Sequence, residues 1–355
     1  MLSYKRIGRP TLIATLFAVS SLVGCGGSKS SSSSSTAAPS ETTASLTLGG
    51  YTTPREAYGE ILPAFRAQWS KAHPAGVEFK ESYLGSGAQA RAIIGGFEAD
   101  IAALSLEPDI ETIKQAGLIT HDWKARPEGG MVSRSIVVIG VREGNPKGIE
   151  DWDDLAKPGI SVLTPNVRTS GGARWNIAAI WGAALRGKTG AAKDSPEAAT
   201  KLLSAILKNV KNMDPGARES LLNFERGVGD AIITYENEIL VGKQKGQKYE
   251  YVIPKSTILI ENPAAIVDSV VNKHGSRAAA TALLDFLIAP EAQRIYAKHG
   301  LRPVNAEVAK EVAANYPNVE DLFTIRDIGD WSGVQKVIFE TGSAYDDALS
   351  LAGTP

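Results

Sequence analysis

From Ser45 onward, short apolar runs alternate with longer stretches of helical period, and nothing else in the chain restricts its fold so tightly. A short apolar run spans a buried strand, and each longer amphipathic stretch must lay its apolar stripe over such strands. Repeated many times, the alternation predicts α/β units around a mostly parallel sheet. SLTLGGY opens the series, after which Tyr58, Leu62, Phe65 and Trp69 recur at spacings of four, three and four, one face of a helix. VEFKESY alternates as a strand does. LGSGAQARAIIGGFEA turns into a helix with Ala90, Ile93, Ile94 and Phe97 on one stripe, and DIAALSLE closes the set as a buried strand.

A second set begins near Ser135 with SIVVIGVREGNP, and MVSR around residue 131 is where the chain is expected to cross between two lobes. ISVLTP leads through a turn into SGGARWNIAAIWGAAL, a helix with Arg174, Ala178, Trp181 and Leu185 on one face. The next helix has a well-marked start, with Ser195 as N-cap, Pro196 at the first helical position and Glu197 in the first turn. PGARESLLNFERGV reads as a helix and DAIITYENE as a strand. Beyond residue 236, strand and helix patterns resume and return the chain to the first lobe. The expected organisation is discontinuous: residues 46–133 with 237–355 form one lobe and residues 134–236 the other, with hinge strands near 131–136 and 234–238.

A chain of 355 residues with 43% apolar and 22% charged residues can bury a core of about two ordinary domains. Lysine and arginine total 38 against 39 acids, so neither a nucleic-acid partner nor an anionic surface is announced by charge. The N-terminus is more specific. Lys5, Arg6 and Arg9 precede an apolar run over residues 11–24, too short to cross a bilayer of about 30 Å but suited to an export signal. Leu22-Val23-Gly24-Cys25 resembles the bacterial lipoprotein cleavage box, so residues 1–25 are expected to be a signal peptide and Cys25 the lipid-bearing residue. Cys25 is the only cysteine, which leaves no internal disulfide, and the Ser/Thr-rich residues 26–45 read as a flexible tether. The body is therefore expected at the outer face of the cell membrane or in the periplasm, anchored by lipid.

Three places share one design: a turn, small residues, then a helix with an arginine close behind. They are Ser86-Gly87 in LGSGAQAR, Ser170-Gly171-Gly172 in TSGGAR, and Gly216-Ala217 in PGAR. At a helix start the first backbone N–H groups lack partners within the helix and the dipole is positive, which favours an anion. Each start contributes about 1 kcal/mol of dipole attraction, and each hydrogen bond to a charged oxygen about 1.5 to 3 kcal/mol. Ordering and desolvation take back most of that sum, so a net of about 8 kcal/mol, micromolar affinity, is the expectation.

Signs of catalysis are few. Gly182-Ala-Ala-Leu-Arg-Gly187-Lys188-Thr189 satisfies the nucleotide-binding GxxxxGK[ST] pattern, but Gly182 continues a helix and Lys188-Thr189 run into a loop, the reverse of the required strand-turn-helix order. His73, His121, His274 and His299 have no metal-ligand spacing, and neither serine turn fits a hydrolase elbow. Asp153-Asp154 and Asp346-Asp347 read as solvated surface, and Trp175 and Trp181 as core.

GSGAQARAIIGGFEADI, RSIVVIGVREGNPKGIEDWDDL, TPNVRTSGGARWN and FERGVGDAIITYENE, followed by LRPVNAEVAK and FTIRDIGDW, resemble the sulfate-binding proteins of bacterial ABC importers, a family that includes thiosulfate binders. The resemblance covers nearly all of residues 48–340. It implies a two-lobed type II periplasmic solute-binding fold with a hinged cleft, no cofactor, no catalysis, and a membrane permease as partner. It implies sulfate contacts at Ser86, Ser170, Gly171, Gly172 and Ala217. Where the family has a YDPTRE segment this chain has Thr52 in the aspartate's place, and where the family often has AWENE this chain has Tyr235 in place of the indole. Tyr235 can still donate through its hydroxyl. Arg91, Arg174 and Arg218 lie about one turn behind these residues and are expected to brace the loops rather than touch the anion. Sulfate has no proton at neutral pH, so a site of donors alone suits it and rejects hydrogenphosphate. Thiosulfate, molybdate, or an enzyme built on the same two-lobed body are the alternatives.

Overall fold

The computed structural model describes residues 42–353. The signal segment, Cys25 and most of the tether lie outside the described residues. The chain begins with β1 (Ala44–Tyr51), α1 (Arg55–Trp69), β2 (Val77–Leu84), α2 (Ser86–Ile94), β3 (Ile101–Ala103) and α3 (Glu107–Gln115). A long strand, β4 (Met131–Arg142), leads to β5 (Val162–Pro165), α4 (Gly171–Leu185), α5 (Pro196–Lys208), β6 (Val210–Asp214), α6 (Ala217–Glu225), β7 (Ala231–Tyr235), α7 (Glu236–Gln244) and β8 (Tyr249–Val252). A second long strand, β9 (Ser256–Ile266), precedes α8 (Asp268–His274), α9 (Arg277–Leu287), α10 (Pro290–Lys298) and α11 (Ala306–Glu311). The chain ends with β10 (Asp321–Phe323), α12 (Asp330–Val334) and α13 (Ala344–Ala352).

The ten strands run in the order β2-β1-β3-β9-β4-β7-β5-β6, with β10 beside β9 and β8 beside β4. The pairings β1/β2, β1/β3, β5/β6 and β5/β7 are parallel, as α/β units require, whereas β9 runs antiparallel to both β3 and β4. The two long strands hold each other from Met131↔Pro263 to Ile136↔Leu259. Past that stretch they part company: β9 pairs β3 through Ala264–Ile266, and β4 pairs β7 through Val137–Val141. One strand thus carries the chain from one half of the sheet to the other, and the second brings it back.

Two expectations change here. Residues 234–238 are not a crossing strand but the end of β7 and the first turn of α7; the return is made by β9. Ile239 of α7 and Tyr249 of β8 pack with Ile136, Val138, Leu221, Phe224 and Ile232, on the β4/β7 side. The last segment also packs on that side, where Phe323, Trp331, Val334, Phe339, Tyr345 and Ala348 share a core with Trp175, Trp181 and Leu203 of α4 and α5. The assignment of all of residues 237–355 to the first lobe is therefore corrected. Helical period shows that a stripe is buried, but not against which neighbour. Around β1, Tyr58, Ile61 and Phe65 pack with Leu283, Leu284, Phe286 and Tyr296.

Glycines let two close approaches form. A Cβ on Gly140 of β4 would come within 2.8 Å of Ile232 and Ile239, so a bare backbone admits α7. A Cβ on Gly182 would lie 2.4 Å from the Phe323 ring, where β10 presses on α4. Gly182 is deep inside α4, and Gly187 follows its C-cap with φ +69, so the nucleotide-loop pattern is a helix end. Burial of α4 on nearly every face replaces the single stripe expected for it.

Candidate functional site

Ser170 has an extended backbone and its hydroxyl accepts from Ala173 N–H at 3.3 Å, the N-cap of α4. Its own N–H donates to Asn166 O at 2.9 Å, which fixes the turn TPNVRTSGG before the helix begins. Thr169 Oγ1 donates to Pro215 O at 2.7 Å, and Asn166 N–H to Asp214 O at 2.8 Å. Asp214 is itself gripped by Ser220 Oγ at 2.8 Å and Asn223 Nδ2 at 2.7 Å. The turn before α4 and the turn before α6 are therefore one tied unit.

The third turn joins them by contact. A Cβ on Gly85, the N-cap of α2, would sit 2.6 Å from Thr169 O and 3.1 Å from Pro215 O. A Cβ on Gly172 would lie 3.3 Å from the Ala217 Cβ and 3.4 Å from the Tyr235 ring, and one on Gly216 3.8 Å from Thr52 Oγ1. Thr52, Ser86, Ser170, Gly171, Gly172, Ala217 and Tyr235, drawn from five separate stretches of sequence, thus gather in one place. All but Thr52 are buried. The helix starts of α2, α4 and α6 bring unpartnered first-turn N–H groups into it.

Ser86 differs in detail from a simple ligand hydroxyl. Its Oγ donates to Asp109 Oδ2 at 2.5 Å and accepts from Ser105 N–H at 2.9 Å, so its backbone N–H is what it has left to offer. Tyr235 is fully buried, and burial pushes its phenol above the ordinary value, so the hydroxyl carries its proton throughout the neutral range. That hydroxyl meets the Ser105 hydroxyl at 2.7 Å.

Ser105 is the residue that sequence reasoning missed. It follows the short strand β3, its carbonyl accepts from Trp175 Nε1 at 3.0 Å and Asn262 Nδ2 at 3.1 Å, and a Cβ on Gly171 would lie 2.6 Å from its Oγ. The one available signal was its place at the carboxyl end of a buried strand, where ligand-binding side chains collect in open α/β sheets.

The arginines sit around this place with protein partners. Arg91 Nη1 donates to Arg168 O at 3.3 Å, and Arg174 to Val167 O at 3.2 Å and Gln335 Oε1 at 3.1 Å. Arg218 reaches Glu56 Oε2 at 2.7 Å, Thr53 O at 3.3 Å and the buried Glu238 at 3.3 Å, while Lys245 takes the other Glu56 oxygen at 2.8 Å. Burial alone would pull Arg218 down, but Glu238 and Glu56 outweigh it. Burial pushes Asp109 up, against the Ser86 hydroxyl and the charges of Arg174 and Arg91. A cavity of about 580 Å³ opens beside the gathered helix starts, lined by Gly87, Arg91, Asp109, Arg174, Trp331 and Gln335 among others. Among the described residues no group of three or more His, Cys, Asp or Glu could hold a metal ion.

The α/β body has two lobes joined by two central strands and carries its polar loops at one junction, an architecture with room to enclose a solute. A family model described as bacterial extracellular solute-binding protein matches residues 46–302. The sulfate-binding protein of Synechococcus elongatus is 42% identical over 330 residues, 92% of each chain. The thiosulfate-binding protein of Pseudomonas aeruginosa is 35% identical over 86% of this chain and 96% of its own. Among solved structures, the sulfate-binding protein SubI from Mycobacterium tuberculosis H37Rv superposes with a TM-score of 0.77 at 36% identity, covering 84% of this chain and 100% of its own. The chain belongs to the bacterial extracellular solute-binding proteins, in the group that contains the sulfate-binding proteins.

Proposed function

We propose that this chain is the extracytoplasmic sulfate receptor of an ABC importer, holding a dehydrated anion and handing it to a membrane permease. The convergence of the α2, α4 and α6 starts on Tyr235 carries this reading, because a doubly negative ion is met there by oriented N–H dipoles rather than by a side-chain cation. Backbone N–H groups of Ser86, Gly171, Gly172 and Ala217, with Thr52 beside them, and the hydroxyls of Ser170 and Tyr235 are its donors. Arg91, Arg174 and Arg218 brace the loops from behind. The lobes part at residues 131–136 and 259–263, and closure there is the signal to the permease. Lipid on Cys25 and the tether at 26–45 hold the body near the membrane; after Cys25→Ala the protein leaves the membrane fraction or fails to mature.

Calorimetric titration with sulfate, then competition with thiosulfate, molybdate and phosphate, tests the reading. Stoichiometric micromolar sulfate binding supports it, and silence at millimolar sulfate overturns it. Thiosulfate is the second reading, favoured by the 35% identity to the Pseudomonas aeruginosa thiosulfate-binding protein.

A further inference from the structure

The turns before α4 and α6 are gripped by one short piece of the C-terminal segment. Val167, in the first turn, is buried in a core that also holds Phe339 and Tyr345. Arg168, the next residue, donates from Nη2 to Asp346 Oδ1 at 3.1 Å, and the other oxygen of that carboxylate accepts from Gly342 N–H at 2.8 Å, which fixes the acid in place. Tyr345 is buried, and its hydroxyl donates to Met213 Sδ at 3.8 Å, one residue before the Asp214 whose carbonyl ties the two turns. Consecutive residues in the first turn of α13 thus each hold one of the two turns, across 132 and 178 residues of sequence. A backbone N–H helps an anion fully only when it is already aimed, because a turn that must be ordered on binding gives back part of the energy it supplies.

We propose that Tyr345 and Asp346 are positioning residues for sulfate capture: they hold the turns before α4 and α6 in the shape that aims their N–H groups, and so set the affinity without touching the anion. This rests on the sulfate-receptor reading. The sign of one substitution separates positioning from plain electrostatics. A carboxylate repels a dianion, so on charge alone Asp346→Asn tightens sulfate binding or leaves it unchanged, whereas loss of a positioning contact weakens it.

The test is calorimetric titration of the full chain with sulfate well below the melting temperature, with thermal melting in parallel. Asp346→Asn is expected to weaken binding about two- to fivefold, the size of a partly exposed ion pair, and Tyr345→Ala about tenfold. Asp346→Glu, which keeps the carboxylate, and Tyr345→Phe, which keeps the buried ring, restore most of the affinity. Asp321→Asn is the control. It weakens the pair with Arg186, the C-cap at the far end of α4, so it loosens the same C-terminal segment away from the two turns; its melting temperature falls and its sulfate affinity stays. In the unliganded protein, amide exchange over residues 166–172 quickens in Asp346→Asn and not in Asp321→Asn. Sulfate affinity that is unchanged or raised in Asp346→Asn, or lowered as much by Asp321→Asn, overturns the proposal and leaves the sulfate reading standing. Native protein that ignores sulfate overturns that reading and this proposal with it. Should Tyr345→Ala fail to fold, Asp346→Asn measured against Asp321→Asn decides.

Discussion

Ser170 does two jobs with one hydroxyl, capping α4 through Ala173 N–H and facing the gathered helix starts. Ser170→Ala is therefore expected to lower stability by about 1 kcal/mol through the lost cap. It should also weaken sulfate binding about 10- to 100-fold through the lost donor; thermal melting and calorimetry read the two effects separately. Arg174 makes the opposite case. Its guanidinium is spent on Val167 O and Gln335 Oε1, so Arg174→Ala should weaken sulfate binding by less than about tenfold, the size of one second-sphere electrostatic contribution. A loss beyond 100-fold in a folded variant would make Arg174 a direct ligand contact. Local sequence exposed Ser170 because a cap acts on residues three positions away. It did not expose Ser105, whose partner Tyr235 lies 130 residues downstream.

Helix α4 shows how an element can be legible in its start and illegible in its surroundings. SGG followed by an apolar stretch marks where it begins, and the cap forms as that pattern requires. What covers it was hidden: the C-terminal segment lays Trp331 against Trp175 with ring centroids 4.7 Å apart, and Phe323 against Gly182. Gly182→Ala measures the tightness of that cover. On helix propensity alone alanine gains about 1 kcal/mol over glycine. Overpacking against the Phe323 ring costs about 1–3 kcal/mol, so the net outcome expected from chemical denaturation is a loss of stability. A gain would show that β10 yields easily and that the C-terminal segment is loosely docked.

For the molecule as a whole, one pH-sensitive cluster stands where the chain enters β3. His274, in the last turn of α8, lies 3.1 Å from Glu98 and 3.1 Å from the buried Asp100. Burial pulls the imidazole down, but hydrogen bonds to Glu98 and Asp100 outweigh it and hold it above its ordinary value. A raised folded value means that the stabilisation is complete below the unfolded value of about 6.5 and disappears as pH rises through the folded one. His274→Gln should therefore lower the melting temperature most at about pH 5 and least at about pH 9; an equal deficit at both would assign the effect to packing. Sulfate affinity should be unchanged by this substitution, since Glu98 and Asp100 precede β3, His274 ends α8 and Ser276 precedes α9, and none of them is among the residues gathered at the helix starts.

The α/β alternation, the capped helix starts and the places where a helix could receive an anion were written in short stretches of residues. Each depends on neighbours within one or two turns, and local backbone geometry fixes them wherever the chain goes. The meeting of those starts, the service of β9 rather than residues 234–238 as the return strand, the C-terminal cover over α4 and α5, and the Ser105–Tyr235 pair followed from sheet order alone. These are contacts between residues far apart along the chain. Which of them form depends on how all the apolar faces can be buried at once, a condition that no single stretch contains.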